Sequence, residues 1–182
     1  MSITIAKRIE KDIIKDICQV LFGAFFLAMF AKIYIPLFFT PVPIILQNSI
    51  AISYGFFLGA KKGSIATLLF IFLGSIGLPF FAGGNFGMQT IMGANGGYIL
   101  SYFISCFVVG KIFQKNLDLS QRKIGLTMLL GHLIVLFGGA LWLSFFLGLK
   151  KAILLGIVPF IATDIFKSIV LTKLIHLKNN YF

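Results

Sequence analysis

The 182-residue chain is 59% hydrophobic and 12% charged, with 22 Phe and a mean hydropathy of +1.02. A soluble domain of this size cannot hide so much apolar surface, because a large share of its residues must face water, so the composition excludes an ordinary soluble fold. The net charge of +11 does not signal nucleic acid either, since the basic residues fall in short clusters between apolar runs and form no basic stripe interleaved with stacking aromatics.

The chain opens on a basic segment, 1–16, with Lys7, Arg8, Lys11 and Lys15. The apolar run behind it is longer than the core of a signal peptide and lacks a small-residue cleavage site, which predicts a retained first helix. A spanning helix needs about 20 mostly apolar residues. On that criterion the sequence predicts six spans: 17–35, 44–60, 63–81, 97–113, 124–149 and 152–175. The expected fold is therefore an all-α integral membrane protein with six transmembrane helices in one domain covering 1–182. Its environment is the lipid bilayer of the cell membrane, the inner membrane in a Gram-negative bacterium.

An even number of spans puts both termini on one side. With that side cytoplasmic, twelve of the sixteen basic residues face inward: Lys7, Arg8, Lys11, Lys15, Lys61, Lys62, Lys111, Lys115, Arg122, Lys123, Lys173 and Lys178. Lys32, Lys150 and Lys151 fall outside, and Lys167 lies within the last span. This positive-inside bias predicts cytoplasmic N- and C-termini, with the Lys150–Lys151 pair as the exception. The same orientation gathers the unusual sequence on the outer face: Thr40-Pro41-Val42-Pro43, and the stretch 83–97.

In the first span, Ala24 and Ala28 stand four apart and form a smooth stripe suited to close helix packing. Gln47 follows two prolines at the start of the second span and offers an amide to an outer pocket. The stretch 83–97 is too irregular for a lipid-facing helix and too apolar for a freely solvated loop, a combination expected where backbone lines a protein cavity. Asn85, Gln89 and Asn95 supply amides there, and its glycines, Gly84 and Gly97 among them, let backbone approach a ligand. The alternative is a structural loop with glycine turns.

Only five acidic residues occur, and Asp164 alone lies within a span. A charge at the centre of a membrane helix costs about 2.5–3.5 kcal/mol on insertion scales, so Asp164 calls for a partner or a ligand. Lys167, three residues on, shares its helical face. The pair is either a binding site or a self-compensating ion pair with a structural role alone.

The missing motifs narrow the class. The chain has no Gly-x-x-x-x-Gly-Lys-Ser/Thr loop and so no ATP-binding site of that kind. His132 and His176 are far apart and no HExxH or carboxylate cluster occurs, so no metal or other cofactor is expected and the chain does not read as an enzyme. His132 reads as a hydrogen-bonded interhelical histidine. Cys18 and Cys106 read as buried, inert thiols.

Four segments, in order, carry a family resemblance: Thr40-Pro41-Val42-Pro43-Ile44-Ile45-Leu46-Gln47, Gly77-Leu78-Pro79-Phe80-Phe81-Ala82-Gly83-Gly84, Gly93-Ala94-Asn95-Gly96-Gly97-Tyr98 and Asp164-Ile165-Phe166-Lys167. Together they resemble the BioY family, the biotin-specific S components of energy-coupling factor (ECF) transporters. The sequence departs from the family pattern at Ile45 and Asn95, where Thr is common. The resemblance implies capture of biotin near the outer face for uptake, energised by a separate T component and ABC-type ATPases, with Ala24 and Ala28 on the T-component interface. Biotin presents two ureido N–H donors, one ureido carbonyl, an apolar thioether and chain, and a carboxylate. On that chemistry Asp164 is expected to accept from the ureido N–H groups, and Asn85 or Asn95 to donate to the carbonyl. Tyr98 packs the bicycle, and Lys167 or the Lys150–Lys151 pair meets the carboxylate. The alternatives are an S component for another vitamin, such as thiamine or riboflavin, and a stand-alone facilitator.

Overall fold

A computed structural model describes the backbone of residues 2–115 and 120–181 and the side chains of 10–115 and 120–177. Asp118 and the side chains of Lys7, Arg8 and Lys178, part of the charge count above, lie outside the described residues.

The chain is α-helical apart from one small ribbon. Helix α1 covers Ser2–Met29 and tightens into a 3-10 turn, Phe30–Lys32. Strands β1 (Tyr34–Ile35) and β2 (Ile44–Ile45) then pair antiparallel, Tyr34 opposite Ile45 and Ile35 opposite Ile44. The intervening stretch contains Pro36, Pro41 and Pro43, whose missing N–H groups rule out a continuing helix. The ends expected for the first two spans are thus not helical, because the prolines turn residues 33–45 into a loop with a ribbon base.

Helix α2 (Gln47–Phe57) and helix α3 (Gly59–Ser75) meet at a sharp turn where Gly59 takes a φ of +78°. The stretch 83–97 holds a 3-10 turn, Ala82–Gly84, and a short helix α4, Met88–Met92, before α5 begins at Gly96–Lys115. Helix α6 (Gln121–Leu147) ends at Gly148, φ +78°. The last expected span is broken: α7 (Leu149–Gly156) and α8 (Val158–Tyr181) meet at a 40° bend. Pro159 sits in the first turn of α8, where its absent N–H costs nothing.

Among the described residues three helices, Glu10–Lys32, Gly96–Lys115 and Gln121–Leu147, are long and apolar enough to cross a membrane, or four if the bent pair counts as one. At 1.5 Å per residue α2 is only about 16 Å long, about half a hydrocarbon core of roughly 30 Å.

The burial pattern is inverted relative to a soluble protein. Large apolar side chains face outward, with Phe22 at 69%, Met29 at 70% and Phe145 at 81% exposure. Gln47, Asn48, Ser49, Thr67, Ser105 and His132 are buried instead. Lipid solvates the first group, while the second finds partners only inside the bundle.

Helix α5 packs along α2, α3 and α6, and small residues bring the backbones together. A Cβ on Gly55 would come within 2.7 Å of both Cys106 O and Gly110 N. Helix α1 lies on α3, tied at one end by Lys62 Nζ, which donates to Asp16 Oδ1 at 2.8 Å and Gln19 Oε1 at 2.7 Å. Of its small-residue stripe, Ala24 is fully buried within the chain, and Ala28 is half-buried against the core. The expected T-component contact through Ala24 is thereby corrected, because Ala24 keeps no free surface in this structure, whereas Ala28 keeps part of its own. Cys106 is buried as expected, whereas Cys18 is exposed.

Because backbone atoms opposite Gly55 cannot yield as a side chain can, Gly55→Ala should destabilise the detergent-purified protein by about 1–3 kcal/mol. Gly125→Ala, whose new Cβ would stand 3.4 Å from Thr172 Oγ1, should leave the thermal unfolding midpoint unchanged or raised.

Candidate functional site

A cleft opens at the β-ribbon end of the bundle. Its walls are Val42 and Pro43 from the loop before β2, Ile45 from β2, Gln47 and Asn48 from α2, Phe81, Ala82, Thr90 and Asn95 from the stretch between α3 and α5, Tyr98, Ile99 and Tyr102 from α5, Val135 and Leu136 from α6, and Phe160, Asp164 and Lys167 from α8. Such a cavity, mostly apolar with a few convergent polar groups, has the character of a small-molecule site. A wider groove between α1, α2 and α8 is almost entirely apolar and contains no carboxylate.

The polar focus is a triad. Lys167 Nζ lies 3.2 Å from Asp164 Oδ1 and 3.4 Å from Asn48 Oδ1. Asn48 Nδ2 donates to the same Asp164 Oδ1 at 3.4 Å. The amide of Asn48 is oriented by its own helix, because its Oδ1 accepts from Ser49 N at 2.9 Å, which leaves Nδ2 to face Asp164. Both contacts to Asp164 fall on Oδ1, so Oδ2 has no hydrogen-bond donor among the described residues. Asp164 is only 5% exposed, which makes an unfilled carboxylate lone pair a demand for a donor from the cavity.

The triad lies close to the helix break: measured from Val158, where α8 begins, Asp164 is about 9 Å along the helix.

The segments around the cavity are held by specific ties. Thr40 Oγ1 donates to Leu155 O at 2.8 Å and accepts from Val42 N at 3.2 Å, pinning the proline-rich segment to α7. Trp142 Nε1 donates to Gly93 O at 2.9 Å, fixing the far end of the loop to α6. Gly87 N donates to Gly74 O at 2.7 Å.

The sequence-based candidates divide cleanly. Asp164, Lys167, Asn95, Gln47 and Tyr98 all line the cleft. Two of them, however, spend polar groups on structure: Gln47 Nε2 donates to Leu27 O at 3.1 Å and Phe80 O at 2.8 Å, and Tyr98 Oη donates to Gly156 O at 2.8 Å. Asn95 Nδ2 donates to Pro41 O at 3.2 Å, while its Oδ1 is buried without a partner. Since Pro41 O can only accept, the amide nitrogen must face it, which spends on the fold the donor that was expected for a ligand.

Asn85 stands outside the cleft, exposed, with Nδ2 donating to Ala82 O at 2.7 Å. Gly84 (φ +77°) serves the 3-10 turn and is not part of the wall. Gly97 is a packing residue, since a Cβ there would collide with Trp142. Lys150 and Lys151 are exposed on α7, away from the cleft. Asn48 was missed, although its place in the run Gln47-Asn48-Ser49 at the head of an apolar segment was a usable signal. Among the described residues no group of three or more His, Cys, Asp or Glu side chains is placed to hold a metal.

Comparison with known proteins gives a consistent picture. The model of the BioY family matches residues 3–181. A Pyrococcus horikoshii protein named "Probable biotin transporter BioY" is 40% identical over 129 residues, covering 70% of this chain and 75% of that protein. A Thermotoga maritima protein named "Biotin transporter BioY" is 34% identical over 141 residues, 77% of this chain and 81% of the relative. Among solved structures, the 2.1 Å crystal structure of the S-component for biotin from an ECF-type ABC transporter superposes with a TM-score of 0.83 at 29% identity, covering 94% of each chain.

Removing one member of a buried ion pair strands the other, whereas removing both does not. Lys167→Met should therefore destabilise the protein by about 3–5 kcal/mol, and Asp164→Asn/Lys167→Met should recover most of that loss. Thermal unfolding in detergent measures both; a double-variant loss equal to the sum of the Asp164→Asn and Lys167→Met losses would show that the two side chains are not energetically coupled.

Proposed function

The chain belongs to the BioY family, and from that premise we propose that it is the S component that captures biotin for uptake. The observation that carries the reading is the triad itself: a buried carboxylate with an open Oδ2, flanked by Lys167 and Asn48, in a mostly apolar cleft. A ureido N–H donates to Asp164 Oδ2. The ureido carbonyl accepts from Lys167. An ammonium held 3.2 Å from Asp164 cannot also stand at the far end of an extended ligand whose ring Asp164 binds, so the carboxylate of biotin points to the mouth. Phe81, Phe160, Tyr98 and Tyr102 pack the bicycle and its chain.

The proposed membrane arrangement has six crossings, with the termini in the cytoplasm and the cleft opening outward. Its supports are the positive-inside charge pattern and the joint placement of Asp16 and Lys62, which the sequence assigned to one side and which pair in the structure. With no phosphate-binding loop of its own, the chain depends for energy on a T component and ABC-type ATPases, as the named assembly of its structural relative suggests. The partner surface must be other than the buried face of Ala24.

Equilibrium binding to the detergent-purified chain tests the reading. Biotin should bind selectively over thiamine and riboflavin, and Asp164→Asn should weaken it by about ten- to a hundredfold, as expected for one charge-assisted hydrogen bond. Biotin amide should bind nearly as well as biotin if the carboxylate faces the mouth. Failure of folded wild-type protein to bind biotin would transfer the proposal to another vitamin.

A further inference from the structure

Beneath the triad lies a second buried polar cluster to which the capture reading gives no role. His132, fully buried in α6, spans the space between α2 and α8. Its Nε2 is 2.9 Å from Ser49 Oγ, and its Nδ1 is 2.9 Å from Ser168 Oγ and 3.0 Å from Met128 O. The hydrogens follow from the partners. Met128 O can only accept, so Nδ1 carries the hydrogen. Ser168 Oγ gives its own hydrogen to Asp164 O at 2.7 Å, so it too accepts from Nδ1. Nε2 is left as the acceptor, and Ser49 Oγ donates to it.

Each serine is bound to the triad by its position in the chain. Ser49 follows Asn48 and donates its backbone N–H to the Asn48 side chain. Ser168 lies one helical turn after Asp164 and clasps that residue's carbonyl. One imidazole thus joins the backbone segment bearing Asn48 to the segment bearing Asp164 and Lys167. Across the cavity side those segments meet only through the 3.4 Å contacts of Asn48 with Asp164 and Lys167, which lie near the limit of a hydrogen bond.

We propose that His132 is a positioning residue for ligand capture, holding α2 and α8 at the separation that lets Asn48 and Asp164 act on one ligand. The inference rests on the biotin reading. Removal of the α2 link lets Asn48 drift from a ligand bound to Asp164, whereas an imidazole that merely filled the core would affect folding alone.

The test is a double-mutant cycle on the full chain in detergent, read as biotin Kd beside the thermal midpoint. Ser49→Ala removes the donor to Nε2. His132→Asn keeps a donor near Nδ1 and loses Nε2, cutting the same link from the other side. Each should weaken biotin roughly tenfold, and Ser49→Ala should add little in an Asn48→Ala background, because coupled residues are non-additive. Should His132→Asn fail to fold, Ser49→Ala carries the test alone. Unchanged Kd in Ser49→Ala, or a full additional loss on top of Asn48→Ala, overturns the inference while the biotin reading stands. Folded wild-type protein that does not bind biotin at all overturns the reading first, and the inference with it.

Discussion

A carboxylate held in a hydrocarbon layer must be matched by charge and by hydrogen bonds, and this requirement at Asp164 organises the rest of the molecule. Lys167 supplies the charge from the same helix, three residues away. Asn48 supplies an amide from α2 that touches both members of the pair. The match is incomplete: among the described residues, one oxygen of Asp164 takes both donors and the other takes none. A fully satisfied pair would be inert structure, and an unmatched one would destabilise the bundle. The intermediate arrangement leaves room for a ligand that brings donors of its own.

The break between α7 and α8 stands a short way before that pair in the chain. The break leaves backbone groups to be satisfied, and the structure does so locally: Tyr98 donates to Gly156 O and Thr40 to Leu155 O. Two residues that line the site or its rim therefore also tie down the irregular backbone beside it. Irregular backbone at membrane depth survives when it is buried in protein in this way. The same reasoning accounts for Gln47, whose amide binds Leu27 O and Phe80 O at the turn entering the outer loop.

Much of this was legible in the sequence, for reasons that differ by residue. Asp164 and Lys167 stood out because an ionisable residue in an apolar run is costly, and a spacing of three fixes their shared face. The apolar runs located the long helices, since length and hydropathy suffice for those. Asn48 escaped because its role depends on a helix start that β2 and the prolines set. Asn85 and Asn95 looked equivalent as amides in one glycine-rich stretch, yet only Asn95 faces the cleft. Loops have no period from which a direction can be read. The Ala24–Ala28 stripe marks a packing surface by spacing alone, but spacing cannot say whether the packing lies within the chain, as full burial puts it for Ala24.

The direction of the open polar groups argues for the orientation of the ligand. Asp164 Oδ2 is an acceptor without a donor among the described residues, the amides of Gln47 and Asn95 donate to carbonyls of the fold, and that of Asn48 donates to Asp164 Oδ1. A free carboxylate, which can only accept, would find beside Asp164 one ammonium already shared and an opposing charge. A cyclic urea would meet the same groups with a donor for the carboxylate and a carbonyl for the ammonium. On the proposed reading, the triad therefore favours the ring of biotin over its charged end, and the apolar walls take the chain between them.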